Sequence, residues 1–278
     1  MDIRLIVTDL DGTLLNAARE ISPRTAKALL DCASRGMTVA FASGRSFEAV
    51  RLFALSIGLH NCVIISSTGA RVDASPDGPI IFEDCLDETV AREAAGRLVG
   101  AGLYVECYSD ERIYMANRVP MKHRRHVPGF TADGRVEFVE DAARLVEEGP
   151  KKARKLIVFS DEQRRIDEAR TLLKGMPLSL SQSGEDNLEI MREGAGKGRA
   201  VRRLCERIGI SKENVMAFGD QTNDLDMLME AGWPVAMANA VDEVKRHAAI
   251  IAPRYDEDGV ARVLEDLLNG REGEATRP

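Results

Sequence analysis

The sequence predicts an α/β protein with a doubly wound, Rossmann-like parallel-sheet core and an inserted α+β domain. Three observations lead to this fold class. Near both ends of the chain, short apolar runs alternate with amphipathic helical segments. Polar residues directly follow several of these runs, as they do at the carboxyl ends of parallel strands. Between residues 84 and 184, helices instead alternate with pairs of strands, which is typical of a separate module.

The first strand is expected in the largely apolar run Ile3–Val7, which has the composition of a strand buried on both faces. Asp9 and Asp11 follow this run, and Gly12 and Thr13 come next. Buried carboxylates without a partner are unfavourable, so we expect a cation beside them. Because Asp and Gly also favour turns, a purely structural turn is the alternative interpretation of this stretch.

The same alternation continues up to residue 83. Ser22-Pro23 predicts the start of a helix, because serine caps helices and proline fits their first turn. Two more buried strands are expected at Thr38–Ala42 and Cys62–Ile65, separated by a helix that ends near Gly58. The earlier of these strands leads directly into Ser43-Gly44-Arg45. Strands and helices that alternate at this spacing predict a parallel sheet.

The inserted domain is predicted to span 84–184, and the core is predicted to consist of 1–83 and 185–270. The core pattern resumes at Leu188–Met191, and the polar tail 271–278 is expected to be disordered. Inside the insert, the sequence predicts a helix over 88–99 and strands over 103–108, 113–116 and 155–159.

Two later segments of the core also carry polar groups. Lys197 lies in a glycine-rich stretch before a predicted helix, and a predicted strand, Val215–Phe218, runs into Gly219-Asp220-Gln221-Thr222-Asn223-Asp224. Carboxyl ends of parallel strands share one edge, so these acids should crowd together with Asp9 and Asp11. Four acids require a cation, and Mg²⁺ prefers such oxygen ligands.

Phosphate chemistry fits this arrangement. Lys197 and the Ser43 hydroxyl, with nearby backbone N–H groups, can hold the phosphate oxygens that a metal leaves free. A carboxylate beside a metal-bound phosphate is a candidate nucleophile, and a second carboxylate two residues on can act as general acid and base. Taken alone, Lys197 is more typical of a solvated lysine at the start of a helix.

Together these motifs resemble, in the same order, the four motifs of the haloacid dehalogenase-like phosphohydrolases. The matching segments are Asp9-Leu10-Asp11-Gly12-Thr13, Ser43-Gly44-Arg45, Lys197 and Gly219-Asp220-Gln221-Thr222-Asn223-Asp224. The position of the insert resembles that in the Cof-type phosphatases, whose α/β cap enters between the second and third motifs. The likeness extends over nearly the whole chain.

The resemblance implies a role for each motif residue. Asp9 would be the nucleophile that forms an aspartyl-phosphate, and Asp11 would be the general acid and base. Mg²⁺ would be held by Asp9, Asp220 and the backbone carbonyl of Asp11, and Asp224 would support its water shell. The residues implied in phosphate or substrate binding are Ser43, Gly44, Arg45, Lys197 and Asn223.

Several interpretations stay open at this point. Asp224 can cap the helix that begins near Leu225, and Arg45 can pair either with phosphate or with a neighbouring acid. The chain has Thr68-Gly69-Ala70 where Cof-type proteins often have Asn-Gly-Ala, a difference that bears on substrate choice. It also has Gly196-Lys197 where a Ser-Lys step is more usual.

The predicted function is that of a Mg²⁺-dependent phosphatase for a small phosphorylated metabolite, such as a sugar phosphate or a phosphorylated cofactor. A phosphotransferase or mutase similar to the phosphomannomutases would use the same phosphoenzyme. A binding or regulatory protein with this fold would lack the nucleophile or the acid, and both are present. The cap is expected to select the substrate. Its basic run, Lys122–His126, is either a solvated face or a contact to an anionic or polar part of the substrate.

Composition argues against other classes of function. A formal net charge of −7 disfavours binding to nucleic acid through phosphates. No apolar stretch approaches the roughly 18 residues that span a bilayer, and the first residues do not place a basic stretch before an apolar one. The five cysteines lack zinc-site or redox spacing and are expected to be reduced thiols in a cytoplasmic protein.

Overall fold

The computed structural model describes residues 2–109, 112–116, 136–139, 145, 147, 151–184 and 186–270. The chain forms two compact units, and the first is built from both ends of the chain, up to Phe82 and from Gly196 onward. The second unit is Glu83–Ala195. The basic run Lys122–His126 and the tail 271–278 lie outside the described residues.

An eight-stranded sheet forms the centre of the first unit. Its strands, numbered in chain order, are β1 (Leu5–Thr8), β2 (Thr38–Ala42), β3 (Val63–Ser66), β4 (Arg71–Asp73), β5 (Ile80–Glu83), β12 (Val215–Gly219), β13 (Trp233–Met237) and β14 (Ile250–Ala252). Their order across the sheet is β14-β13-β12-β1-β2-β3-β4-β5. Pairing is parallel from β14 to β3, and β4 is antiparallel to β3. β1 therefore lies between β2 and β12, which come from opposite ends of the chain.

Helices cover both faces of this sheet. They are α1 (Pro23–Ser34), α2 (Phe47–Ser56), α5 (Lys197–Ile208), α6 (Leu225–Met229), α7 (Asp242–Arg246) and α8 (Gly259–Leu268). Ile6 of β1 packs in the core shared by α1, α2 and α8, whereas Val7 packs in the core shared by α5, α6 and α7. Apolar side chains thus alternate between two buried faces, as a doubly wound parallel sheet requires. The predicted fold class is confirmed.

A six-stranded sheet forms the second unit. Its strands are β6 (Tyr104–Ser109), β7 (Arg112–Ala116), β8 (Val136–Val139), β9 (Ala153–Phe159), β10 (Leu178–Ser181) and β11 (Asn187–Arg192), and its helices include α3 (Glu88–Gly100) and α4 (Gln163–Leu172). The strand order is β10-β11-β9-β6-β7-β8, and every described pair is antiparallel except β7 with β8. Val105 and Leu156 pack with α3 and α4 on one face of the sheet.

The prediction that Leu188–Met191 returns to the core sheet is wrong. These residues belong to β11, which pairs with β9 and β10 in the smaller sheet. Leu188 and Ile190 pack in the core under the helices, while the Lys155 ammonium group donates to Glu189 at 2.8 Å on the opposite face. A short apolar run fits either sheet, so only its long-range partners decide its place. The second unit consequently ends at Ala195 rather than at residue 184.

Within the described ranges, no helix combines the length and the apolar composition needed to cross a bilayer. All five cysteines are free thiols.

Candidate active site

Asp9 lies directly beyond the carboxyl end of β1, at the centre of the larger sheet. Its backbone N–H donates to the Phe218 carbonyl at 3.0 Å, and the residue is only 6% exposed. The chain then turns through Gly12, which has a positive φ of 81°. A Cβ on Gly12 would lie 2.4 Å from Asp220 Oδ2, so only glycine allows this turn to approach the neighbouring loop so closely.

The Lys197 ammonium group joins two carboxylates. Nζ donates to Asp9 Oδ1 and to Asp224 Oδ1, each at 2.6 Å, and the lysine is 1% exposed. Burial disfavours the charged lysine, but the carboxylates of Asp224 and Asp9 outweigh it and raise the pKa of Lys197 above its ordinary value. The alternative of a solvated lysine is therefore wrong. The expected cation beside the acids is, in this structure, Lys197.

Asp9, Asp220 and Asp224 form a buried acidic cluster. Each offers a carboxylate oxygen, and these oxygens all lie within 4.8 Å of one another. Burial raises the pKa of Asp9 well above its ordinary value, although Lys197 opposes the shift. Burial and repulsion by Asp224 raise the pKa of Asp220 to about 7. One lysine thus compensates three acids incompletely, and an oxygen-only donor set of this kind suits a hard divalent cation such as Mg²⁺.

Asp224 has a structural role in addition to its contact with Lys197. Its Oδ2 accepts from the backbone N–H groups of Asp220 at 3.0 Å and Gln221 at 3.1 Å. These bonds close the turn that precedes α6. The Asp224 side chain makes no capping hydrogen bond to α6 itself, so its interpretation as the cap of that helix is wrong. Its Oδ1 instead contacts Lys197, and its Oδ2 holds the backbone of Asp220 and Gln221 in place.

Asp11 is held apart from the buried cluster by Arg45. The guanidinium group donates to both carboxylate oxygens, at 2.7 Å from Nε and 2.6 Å from Nη2. Partial burial of Asp11 opposes its ionisation, but the paired guanidinium outweighs this effect and lowers the pKa of the carboxyl below its ordinary value. The Asp11 side chain is 52% exposed. Of the two partners considered for Arg45, the structure shows the neighbouring acid.

The Ser43-Gly44-Arg45 loop follows β2 beside Asp9. Ser43 is buried, and its Oγ accepts from the Arg45 backbone N–H at 3.2 Å. The next loop along the sheet supports this one, because Ser67 N–H donates to the Arg45 carbonyl at 2.8 Å and Thr68 N–H donates to the Ser43 carbonyl at 3.0 Å. Thr68 has a φ of 58°, which is unfavourable for a β-branched residue. Backbone hydrogen bonds from Ser67 and Thr68 thus hold the Ser43-Gly44-Arg45 loop in place, although Thr68 itself has a strained backbone.

Asn223 lies in the loop between Asp220 and Asp224. Its Oδ1 is buried and has no hydrogen-bond partner among the described residues. A buried polar atom without a partner costs free energy, so this oxygen is a candidate ligand contact.

Two further residues support the site and were not assigned a role from the sequence. Thr13 Oγ1 donates to Asp220 Oδ1 at 2.9 Å. Asn239 Nδ2 donates to the Gly12 carbonyl at 2.8 Å, while its Oδ1 accepts from Tyr255 N–H at 3.2 Å. Thr13 belongs to the first motif, and Asn239 lies in a small-residue loop after a strand, so their positions were the only signal in the sequence.

Known proteins match the chain along most of its length. A family model described as haloacid dehalogenase-like hydrolase matches residues 6–264. YcsE of Bacillus subtilis (strain 168), a 5-amino-6-(5-phospho-D-ribitylamino)uracil phosphatase, is 30% identical over 95% of each chain. YwtE of the same organism, a phosphatase of the same name, is 28% identical over 97% of this chain and 99% of its own length. The solved structure of a haloacid dehalogenase-like hydrolase from B. subtilis matches with a TM-score of 0.84 and 26% identity. The match covers 95% of this chain and 100% of that chain.

Proposed function

Because this chain belongs to the haloacid dehalogenase-like hydrolases and is a phosphatase of that superfamily, we propose that it hydrolyses a small phosphorylated metabolite through a phosphoenzyme on Asp9. The observation that carries this proposal is the buried cluster around Lys197. The carboxylate of Asp9, the ammonium group of Lys197 and two further acids meet there at the carboxyl edge of the sheet.

The metal is part of the proposal. Phosphatases of this superfamily generally use a divalent metal, usually Mg²⁺. Asp9, Asp220 and the Asp11 carbonyl would hold it, and Asp224 would support its bound water. Bound there, Mg²⁺ would neutralise the phosphate and orient its phosphorus towards Asp9. Burial and repulsion by Asp224 raise the pKa of Asp220 to about 7, and this supports the assignment because a bound cation would stabilise the ionised carboxylate there.

The proposed reaction has two steps. In the first, an Asp9 carboxylate oxygen attacks phosphorus, the bond to the leaving oxygen breaks, and Asp11 donates a proton to that oxygen. In the second, a water molecule attacks the phosphorus of the aspartyl-phosphate and Asp11 takes its proton. Inorganic phosphate leaves and the Asp9 carboxylate is restored. Lys197 stabilises the charge on the phosphate oxygens throughout.

Asp11 must separate from Arg45 before it can donate a proton. A carboxylate that accepts two hydrogen bonds from one guanidinium is ionised, and the structure contains that pair at 2.6 and 2.7 Å. Transfer of Arg45 to an incoming phosphate would release Asp11 and add a cation to the phosphate site. Ser43 and Gly44 would contribute the remaining donors from the same loop.

The proposed substrate class is a sugar phosphate or a phosphorylated cofactor. Two relatives are named for 5-amino-6-(5-phospho-D-ribitylamino)uracil, a phosphate monoester, which makes this compound a natural first substrate to test. Selection by the inserted domain is also proposed. Triple replacement of Lys122, Arg124 and Arg125 by alanine tests whether the basic run contributes to that selection.

A phosphate-release screen with Mg²⁺ tests the proposal, using phosphorylated metabolites and an aryl phosphate. Rapid acid quenching followed by peptide mass spectrometry should find the phosphoryl group on Asp9. Asp9→Asn should fold normally and lose at least about a thousandfold in turnover, because an amide is a poor nucleophile. Residual turnover within tenfold of the parent would contradict a covalent role. Dependence on a sugar bisphosphate activator would instead indicate a mutase.

A further inference from the structure

Helix α5 begins at Lys197 without a capping side chain of its own. The residue before it is Gly196, and no side chain of the preceding segment caps the helix. The first N–H groups of any helix lack acceptors within the helix, so they need partners from elsewhere. Serine, threonine, aspartate or asparagine usually supplies one from the position that glycine occupies in this chain.

Asp226, from the neighbouring helix α6, takes over this role. Its Oδ2 accepts from the Gly198 backbone N–H, the second of α5, at 2.9 Å. Its Oδ1 accepts from the Met227 N–H at 2.8 Å, which fixes the orientation of the carboxylate. Asp226 thus makes the hydrogen bond that an N-cap side chain would make, but from a different helix.

The space at the start of α5 also fits a cap that comes from Asp226 and not from residue 196. A Cβ on Gly196 would lie 2.3 Å from Asp226 Oδ2, and the carboxylate is its only close neighbour, with Cγ at 3.5 Å. A Cβ on Gly198 would lie 2.4 Å from the Asp226 carbonyl oxygen. The Asp226 carboxylate therefore occupies the volume of the missing cap side chain, and glycine on both sides of Lys197 lets α6 approach.

We propose that Asp226 is a positioning residue that caps α5 in place of Gly196 and thereby holds Lys197 between Asp9 and Asp224. The inference rests on the proposed role of Lys197 at the phosphate site. A lysine side chain has four rotatable bonds, so a fixed backbone reduces the number of conformations that must be restricted when Nζ contacts both Asp9 and Asp224. Asp224 and Asp226 lie two residues apart, so one short segment provides both an acceptor for the ammonium group and the cap of its helix.

Four variants separate this role from a general effect on α6. Asp226→Ala should lower kcat/KM by about tenfold, which corresponds to a free-energy loss in the range found when an N-cap side chain is removed. A larger loss is not expected, because Asp226 is exposed and water can replace part of its hydrogen bonding. Asp226→Asn keeps an acceptor and should stay within about threefold of the parent. The double variant Gly196→Ser/Asp226→Ala supplies a cap from α5 itself and should recover most of the loss. Gly196→Ala/Asp226→Ala adds the same Cβ without an acceptor and should not recover it.

Exchange of the Gly198 amide hydrogen provides a readout that needs no turnover. Exchange should be about tenfold faster in Asp226→Ala and should return towards the parent rate in Gly196→Ser/Asp226→Ala. Equal kcat/KM in the serine and alanine double variants would overturn the inference, and so would an Asp226→Ala variant within twofold of the parent. If the parent itself released no phosphate, the proposed function would fail, while the Gly198 exchange rates would still test the cap.

Discussion

Asp220→Asn should make the metal-free protein more stable and remove its response to Mg²⁺. The substitution is nearly isosteric, and the Asn carbonyl can still accept the 2.9 Å hydrogen bond from Thr13. It loses the weak contact from Gln221, whose Nε2 lies 3.5 Å from Asp220 Oδ2. Its main effect is to remove one charge from a buried cluster in which Lys197 faces Asp9 and Asp224.

The size and sign of the gain follow from the pKa. Burial and Asp224 raise the pKa of Asp220 from its ordinary 3.8 to about 7. A carboxyl with a raised folded-state pKa contributes its full stability below about pH 4 and loses it as the pH rises through about 7. At about pH 8 the cost of the ionised Asp220 is on the order of 4 kcal/mol, and at about pH 5 it is less than half of that. Asn carries no charge and avoids this cost.

Urea denaturation in EDTA at several pH values measures the free energy of unfolding. The difference between Asp220→Asn and the parent should widen from about pH 5 to about pH 8. Asp242→Asn, which removes a charge at an exposed position, is the matched control and should show no such trend. A constant difference across this range would refute the argument that burial and Asp224 penalise the Asp220 charge. Mg²⁺ should stabilise the parent and leave Asp220→Asn unchanged; equal stabilisation of both would refute the assigned metal ligand.

Three further predictions concern the same site. Asp11→Asn should lower kcat by a factor on the order of 10²–10⁴, and less for aryl phosphates, whose leaving oxygen needs little protonation; equal losses for aryl and alkyl phosphates would argue against Asp11 as the acid. EDTA should abolish phosphate release and Mg²⁺ should restore it, whereas full activity with Ca²⁺ alone would disprove the need for a compact octahedral ion. Gly69→Ala should lower the free energy of unfolding by about 2–4 kcal/mol, because its Cβ would lie 2.3 Å from the Gly196 carbonyl at a φ of 91°. Gly36→Ala, at a φ of 85° with open space around it, should cost only about 1 kcal/mol in the same urea titration.

The larger sheet was predictable because its strands carry local signals. Each central strand is an apolar run buried on both faces, and each ends in a polar motif whose residues meet at one edge. That rule alone brings Asp9 together with Asp220. The roles of the residues within the motifs remain predictions.

Long-range choices were not predictable in the same way. β11 carries the apolar residues Leu188, Ile190 and Met191, which would also fit a core strand. Its pairing with β9 and β10 and the contact between Lys155 and Glu189 place it in the smaller sheet. The short strand β4 was missed because it carries the buried ion pair of Arg71 and Asp73, at 2.8 Å, rather than apolar residues. Asp226 belongs to no motif that the sequence analysis used. The absence of a serine before Lys197 was nevertheless a signal that the cap of helix α5 had to come from elsewhere.

The split organisation of the chain has a consequence for the order of folding. β1 needs β12 as a neighbour, and the two strands are separated in the chain by the entire second unit. Within that unit, Arg192 lies 3.6 Å from Asp84, and within the first unit Arg203 stacks on Phe82. In each unit, residues near the two points where the chain passes between the units are therefore in contact with one another. A prefolded insert therefore acts as a short connection. Closing a loop of a few residues instead of roughly a hundred saves about 3 kcal/mol of chain entropy, which favours folding of the insert before Asp9 meets Asp220.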